Sequence, residues 1–218
     1  MTPEMRHTYA IGDIHGCREM LERLLALIKP QRERDTVVVL GDFINRGPDS
    51  LGTVELLRRQ QRLYRHFLVL RGNHEQMLLD YLAGRNREIF LANGGQATIN
   101  SYLGGHGDSA PEDDSWLPPE HRDWLAALPC SYENEHGIFV HAGLQPGVHI
   151  SQQSRHWLLW ARQEFLETDH DFGKPVIFGH TPFKTAHITR NRIGIDTGAV
   201  YGGRLSCVVL PEEQIISV

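Results

Sequence analysis

Short runs of β-branched and apolar residues recur along the chain, and each run stops abruptly at small or polar residues. Runs of this kind, bounded by turn-forming residues, predict buried β-strands. We therefore predict strands at Thr8–Ile11, Thr36–Leu40, Phe67–Leu70, Gly137–Val140, Val176–Phe178, Ile193–Ile195 and Leu205–Leu210, with a further strand at Ile215–Val218.

Apolar positions at helical spacing follow the first three strands. After the first strand they form the stripe of an amphipathic helix that ends before Pro30. The three stripes consist of Met20, Leu21, Leu24, Leu25, Leu27 and Ile28; of Val54, Leu56 and Leu57; and of Met77, Leu78, Tyr81 and Leu82. This alternation of strand and helix predicts an α/β fold. The later strands have little helix between them, so we expect part of the sheet to be mixed or antiparallel.

The segment Gly104–Pro119 interrupts this pattern with glycines, prolines and an acidic group formed by Asp108, Glu112, Asp113 and Asp114. Its composition predicts a solvated surface loop. A lid over a functional site is the alternative, because loops of this length are often functional.

The length of 218 residues suits one globular domain, and we assign residues 1–218 to it. The formal net charge of −5 argues against a nucleic-acid partner, because such proteins usually carry a basic face. There is no apolar run of about 20 residues to cross a membrane. The start of the chain lacks the apolar core of a signal peptide, and the cysteines, Cys17, Cys130 and Cys207, are widely spaced. Both observations favour the cytoplasm.

Five predicted strands end in a metal-ligand residue type beside a glycine. The endings are Gly12-Asp13-Ile14-His15-Gly16, Gly41-Asp42, Gly72-Asn73-His74-Glu75, His141-Ala142-Gly143 and Gly179-His180. Ligands of open α/β sheets bind at the carboxyl ends of strands, so these side chains should converge on one rim. Each residue alone has a structural explanation, such as a helix cap or a core histidine. The recurrence at five strands instead predicts a metal site.

The mixture of Asp, His and Asn without cysteine suits Mn²⁺, Fe²⁺ or Zn²⁺ and argues against an iron–sulfur cluster or structural zinc. A carboxylate shared by two metals holds them about 3.5–4 Å apart, the spacing of hydrolytic two-metal sites. Two dications would change the formal net charge from −5 to −1, so such a site would neutralise its own acidic residues.

The order G-D-x-H-G, G-D-x-x-x-R-G, G-N-H-E, H-A-G and G-H resembles the calcineurin-like metallophosphoesterases, over Gly12 to about Gly198. Within them it resembles the phosphoprotein phosphatase branch, which includes small bacterial and phage serine/threonine phosphatases. The resemblance implies a β-sandwich of two mixed sheets flanked by helices, in four layers. It also implies a dinuclear metal-dependent phosphatase, with Mn²⁺ as the expected ion and Fe or Zn as alternatives.

The resemblance also implies a role for each matching residue. One metal would be bound by Asp13, His15 and Asp42, and the other by Asp42, Asn73, His141 and His180. A hydroxide bridging the metals would attack phosphorus in line, and His74 would protonate the leaving oxygen. Arg46 and Arg162 would bind phosphate, because a guanidinium matches two phosphate oxygens. Asp196 would lie near the site and would not bind a metal itself.

Asn45 departs from the family pattern, which usually has an aspartate paired with the catalytic histidine. We expect the Asn45 carbonyl to accept a hydrogen bond from His74. Because the amide adds no negative charge, the pKa of His74 should be lower than with aspartate. The hypothesis is that Asn45→Asp shifts the alkaline limb of the pH–rate profile upward.

The sequence alone is compatible with several substrates. A serine/threonine protein phosphatase, acting also on phosphotyrosine or small phosphoesters, is favoured by Glu75 in the G-N-H-E motif. A symmetrical dinucleoside tetraphosphate hydrolase usually has aspartate there and is usually longer. A phosphate-sensing or scaffold domain with weak catalysis is a third hypothesis, and a nuclease is a remote fourth that the acidic balance disfavours. The oligomeric state is not encoded in any pattern.

Overall fold

The computed structural model describes residues 6–105 and 115–218, and within them ten strands form two five-stranded sheets. The strands are β1 Thr8–Ile11, β2 Thr36–Val39, β3 Phe67–Val69, β4 Ser131–Asn134, β5 Gly137–Val140, β6 Val176–Phe178, β7 His187–Ile188, β8 Arg192–Gly194, β9 Ser206–Leu210 and β10 Gln214–Ser217. The first sheet has the order β10-β9-β1-β2-β3 and the second the order β4-β5-β6-β8-β7.

Both sheets are mixed, as expected. In the first sheet β1, β2 and β3 are parallel, and β9 and β10 add an antiparallel edge. In the second sheet β5, β6 and β8 are parallel, and β4 and β7 pair antiparallel at the two edges. Every predicted strand is present, within one residue at each end. The two that the sequence did not indicate are the polar β4 and the two-residue β7.

Helices flank the sheets on their outer faces. They are α1 Arg18–Ile28, α2 Ser50–Leu63, α3 Asn73–Leu82, α4 Arg87–Phe90, α5 Gln96–Leu103, α6 Pro119–Ala127, α7 Arg155–Trp160 and α8 Gln163–Leu166. A π turn at Leu91–Gly95 joins α4 to α5, and 3₁₀ turns occur at Ile150–Gln152 and Ala199–Tyr201. The three predicted helices correspond to α1, α2 and α3. None of the helices in the described part of the chain is long and apolar enough to cross a membrane.

Successive residues of the central strands face different layers. In β1, Tyr9 and Ile11 pack towards the helices, whereas Ala10 belongs to the cluster between the two sheets. In β2, Val37 and Val39 alternate with Val38 in the same way. A strand buried on both faces has no need of polar positions, which explains its continuous apolar run. The result is the expected sandwich of helices, sheet, sheet and helices.

Within the segment Gly104–Pro119, predicted to be a loop or a lid, residues 106–114 with their acidic group lie outside the described residues. The final part of the segment is not a solvated loop. Trp116 and Leu117 are buried, and the Trp116 ring lies 5.5 Å from that of Tyr102, centroid to centroid. These two apolar side chains join the core beneath α5 and α6, which overrides the polar composition around them.

Candidate active site

The carboxyl ends of five parallel strands meet at one rim, where the two sheets approach each other. Cross-sheet hydrogen bonds fix this meeting: His141 Nδ1 donates to the Leu40 carbonyl at 2.9 Å, and the His180 N–H donates to the Asp13 carboxylate. The structure buries all six predicted metal ligands at this rim, namely Asp13, His15, Asp42, Asn73, His141 and His180.

Among the described residues, two groups of three His and Asp side chains bring their ligand atoms within 4.8 Å of one another. One group contains His15, Asp42 and His74, and the other contains Asp42, His141 and His180. Asp42 serves both through different oxygens: Oδ2 lies 3.8 Å from His15 Nε2, and Oδ1 lies 3.4 Å from His141 Nε2. A shared carboxylate between two donor groups fits two neighbouring divalent ions.

The histidine tautomers agree with metal binding. His15 Nδ1 donates to the Ile44 carbonyl at 2.8 Å, and His141 Nδ1 donates to the Leu40 carbonyl at 2.9 Å. Because a carbonyl can only accept, each Nδ1 carries a proton, and Nε2, the nitrogen on the side of Asp42, is the one that would bind a metal. A backbone carbonyl behind a histidine is the usual support for a metal ligand.

Asn73 completes the second group. Its Oδ1 lies 2.8 Å from His141 Nε2 and 3.0 Å from His180 Nδ1, so three atoms that could ligate one metal ion converge. Nε2 of His180 is buried and has no hydrogen-bond partner among the described residues.

Asp13 lies beside these groups rather than within either of them. Its carboxylate oxygens accept the His180 N–H at 3.2 and 3.1 Å, and a Cβ at Gly179 would overlap Oδ1. Burial, together with the nearby Asp196, raises the pKa of Asp13 well above its usual value. The structure therefore places Asp13 at the rim, against the His180 backbone and outside the two groups of three.

The electrostatics of Asp42 favour a bound cation. Burial opposes its ionisation, but the imidazoles of His141 and His74 hold the pKa of Asp42 well below its usual value. Burial likewise disfavours a charged His141, yet Asp42 and Asp13 raise the pKa of His141 to about 10. The negative potential at this point is strong enough to retain a proton on a buried imidazole, and it attracts a metal cation for the same reason.

Glu75 is a site residue whose function sequence reasoning missed. Its buried carboxylate accepts four backbone N–H groups: Oε2 those of Asp42 (2.9 Å) and Gly72 (2.8 Å), and Oε1 those of Phe43 (3.0 Å) and Ile44 (3.3 Å). Glu75 thus shapes the loop that carries Asp42. The only sequence signal was its place in the G-N-H-E motif.

His74 and Asn45 are paired, but the hydrogen bond runs opposite to the expected direction. The Asn45 carbonyl oxygen accepts from the Thr98 hydroxyl at 2.6 Å, so the amide nitrogen faces His74 Nδ1 at 2.9 Å. Burial is the main cause that lowers the pKa of His74, to about 3; Asp42 opposes it, and the charges of His15 and Arg46 add to it.

The predicted phosphate-binding arginines border the rim. Arg46 is half-buried, its Nη1 contacts His15 Nε2, and its guanidinium carbon lies 5.4 Å from the ring centroid of Tyr201. Arg162 is exposed. Burial is the main cause that lowers the pKa of His180, and the charges of His141 and Arg162 add to it. Asp196 accepts the Gly198 N–H at 3.0 Å, which stabilises the turn that carries Tyr201.

Comparison with known proteins agrees with this geometry. A family model described as Calcineurin-like phosphoesterase matches residues 7–200. The chain is 32% identical to Serine/threonine-protein phosphatase 1 of Salmonella typhimurium, over 92% of this chain and 90% of the relative. It is 30% identical to Bis(5'-nucleosyl)-tetraphosphatase PrpE (asymmetrical) of Geobacillus sp. strain WCH70, over 95% of this chain and 92% of the relative.

The fold also matches a solved structure described as a candidate diadenosine tetraphosphatase, with a TM-score of 0.75 and 28% identity, over 100% of this chain and 95% of that one. The family match spans most of the chain and includes all six rim residues. The chain therefore belongs to the calcineurin-like phosphoesterase family, and it is a hydrolase that acts on phosphoester bonds.

Proposed function

We propose that this protein is a metal-dependent phosphomonoesterase that acts as a serine/threonine protein phosphatase, with phosphotyrosine and small phosphoesters as further substrates. The observation that carries the chemistry is Asp42, which serves two donor groups through its two oxygens. The protein substrate is supported by the 32% identity to a bacterial serine/threonine phosphatase over 92% of the chain.

Members of this family use a dinuclear metal centre, and the residues at the rim fit one. In our proposal Asp13, His15 and Asp42 hold one ion, and Asp42, Asn73, His141 and His180 hold the other. We propose Mn²⁺ for both, with Fe or Zn as alternatives, because the donors are oxygen and imidazole nitrogen. When bound, the ions supply Lewis-acid chemistry, which lowers the pKa of a water and offsets charge on the phosphate oxygens.

His74 is the proposed proton donor to the leaving group. Because the Asn45 amide nitrogen faces Nδ1, the neutral ring carries its proton on Nε2, the nitrogen that points towards Asp42 Oδ2 at 3.8 Å. In our proposal the charged form of the ring is the general acid, and its Nε2–H protonates the leaving oxygen.

Arg46 and Arg162 bind the phosphate oxygens. Each guanidinium presents paired N–H donors that match two oxygens of a phosphate, and it stays charged throughout the pH range of the reaction. Arg46 approaches from the turn after β2 and contacts His15, whereas Arg162 lies at the start of α8 and its charge acts on His180.

A dinucleoside tetraphosphate hydrolase is the second candidate, supported by the 30% identity to an asymmetrical enzyme of this kind and by the match to the candidate diadenosine tetraphosphatase. The length and the glutamate at position 75 speak against the symmetrical hydrolases. This relative is an asymmetrical enzyme, aligned over 95% of this chain and 92% of its own length. Glu75 is buried against backbone N–H groups, so it distinguishes substrates at most indirectly.

A turnover panel with Mn²⁺ decides between these functions. It contains a phosphoserine peptide, a phosphotyrosine peptide, a dinucleoside tetraphosphate and a bis-aryl phosphodiester, each measured with the parent protein and with Asp42→Asn as the inactive control. We expect phosphate release from the phosphoserine peptide to be fastest. ADP release, or ATP with AMP, from the dinucleotide far ahead of any peptide would instead establish the second candidate. Failure with every substrate and several metals would favour a phosphate-sensing or scaffold role.

We also propose the cytoplasm as the location. Cys17, Cys130 and Cys207 are all free thiols, which suits a reducing compartment. A fluorescent fusion or a cell-fractionation experiment tests this directly.

A further inference from the structure

Two consecutive residues at the site, Asn45 and Arg46, adopt the left-handed backbone conformation, with φ values of 70° and 67°. Residues with a Cβ rarely do so, because the Cβ crowds the following carbonyl. Such a conformation persists only where the surroundings hold it, and it is found most often at functional sites. The turn matters here because it presents the Asn45 amide to His74 and the Arg46 guanidinium to the rim.

Residues 94–98, about 50 residues further along the chain, bind both residues of this turn, and Ser50 adds one more contact. The Asn45 N–H donates to Thr98 Oγ1 at 2.9 Å and to Ser50 Oγ at 3.1 Å, and the Thr98 hydroxyl donates to Asn45 Oδ1 at 2.6 Å. The Arg46 N–H donates to the Gly94 carbonyl at 3.1 Å. Thr98 is fully buried at the start of α5.

Gly94 lies at the kink inside the π turn, with a φ of 85°. A Cβ at this position would come 2.8 Å from Arg46 Cγ and 2.9 Å from the Arg46 nitrogen. The kink therefore brings backbone against the Arg46 side chain at a distance that only glycine allows. The Tyr201 ring, whose centroid lies 5.4 Å from the guanidinium carbon, also limits where the guanidinium can move.

We propose that Gly94 and Thr98 are positioning residues: Gly94 fixes the direction of the Arg46 side chain towards substrate phosphate, and Thr98 fixes the Asn45 amide against His74. The inference rests on the proposed function, in which Arg46 binds phosphate and His74 serves the leaving oxygen. Neither Gly94 nor Thr98 touches the substrate. Substitution of Gly94 should therefore weaken phosphate binding, whereas substitution of Thr98 should lower the turnover rate.

The test of Gly94 uses Gly94→Ala with Gly84→Ala as a matched control. Gly84 has a φ of 72° and nothing within 4 Å of an added Cβ, so its variant carries the same backbone strain without a contact. With the Mn²⁺-loaded enzyme and p-nitrophenyl phosphate, we expect Gly94→Ala to raise KM and the inhibition constant of inorganic phosphate on the order of tenfold, and kcat to change much less. The control should match the parent in both constants.

A double-mutant cycle shows whether Gly94 acts through Arg46. In an Arg46→Ala background, Gly94→Ala should add no further rise in the phosphate inhibition constant. An undiminished rise there, or constants within twofold of the control in the single variant, would overturn the inference. If Arg46→Ala itself leaves phosphate inhibition unchanged, the proposed role of Arg46 fails, and this result is distinguishable from failure of Gly94 alone.

The test of Thr98 compares Thr98→Val, which keeps the shape, with Thr98→Ser, which keeps the hydroxyl. We expect Thr98→Val to lower kcat on the order of tenfold and Thr98→Ser to restore it, with circular dichroism and thermal unfolding confirming that both fold. Equal loss in both variants would show that the hydroxyl is not the positioning group. If Gly94→Ala fails to fold, this pair decides the inference.

Discussion

The amide nitrogen of Asn45 lies 2.9 Å from Nδ1 of His74. An amide NH₂ group can only donate, so His74 Nδ1 accepts and the neutral imidazole keeps its proton on Nε2. An imidazolium would carry a proton on Nδ1 as well and would meet the amide hydrogens. This contact therefore acts in the same direction as burial, which lowers the pKa of His74 to about 3.

Replacement of Asn45 by aspartate should reverse this preference. A carboxylate at position 45 accepts a hydrogen bond from Nδ1–H and stabilises the imidazolium, so the pKa of His74 rises and the ring stays protonated to higher pH. We expect the alkaline limb of the kcat/KM profile to move upward in Asn45→Asp, measured with p-nitrophenyl phosphate at saturating Mn²⁺. An unchanged profile would mean that His74 is not paired with position 45. Asn134→Asp, a change far from His74, is the control and should leave the profile in place.

Glu75→Gln tests the support behind Asp42. The carboxamide keeps the shape of the side chain, but its NH₂ group must face two backbone N–H donors that the carboxylate now accepts. We expect a loss of unfolding free energy on the order of 3 kcal/mol, because buried donors are left without acceptors. Urea denaturation in the presence of a chelator measures this loss without a contribution from bound metal.

Metal affinity should fall in the same variant, because the loop that carries Asp42 loses its anchor. The matched control is Glu88→Gln, an exposed glutamate on α4, which should change neither stability nor affinity. A Glu75→Gln protein with parental Mn²⁺ affinity would show that Asp42 is held in place by its other contacts alone.

Replacement of single carboxylates should show how much each one contributes to metal binding. Asp42→Asn weakens both groups, so the purified protein should retain less than one ion per chain after gel filtration, measured by elemental mass spectrometry. Asp13→Asn should lose less metal, since in our proposal Asp13 binds one ion and Asp42 binds both; the Asp13 carboxylate also accepts the His180 N–H. Asp35→Asn is the control for loss of a buried carboxylate away from the site, and it should keep the parental metal content. Equal metal loss in Asp13→Asn and Asp42→Asn would contradict the shared role of Asp42.

The strands and the rim residues could be predicted because their signals are local. Strands buried on both faces give unbroken apolar runs, and the rim residues follow those runs directly. The missed strands are edge strands, where half-exposed residues such as Tyr132 carry no clear pattern. The functions of Glu75 and Thr98 could not be predicted from the sequence for another reason. Apart from the Gly72 N–H, Glu75 binds backbone groups 31 to 33 residues away, and Thr98 binds the backbone of Asn45, 53 residues away. Contacts at such separations leave no trace in the local sequence.

Arg162 offers a test of phosphate binding that is free of folding effects. Its side chain is exposed at the start of α8, while its charge reaches His180, so it can contact substrate without supporting the core. We expect Arg162→Ala to raise KM on the order of tenfold, which corresponds to the loss of a charge-assisted hydrogen bond, with an unchanged melting temperature. Arg155→Ala removes an equally exposed arginine from α7 and serves as the matched control, with KM expected at the parental value. If both variants raise KM alike, the effect belongs to the general positive charge of this region, and the assignment of Arg162 to the phosphate is wrong.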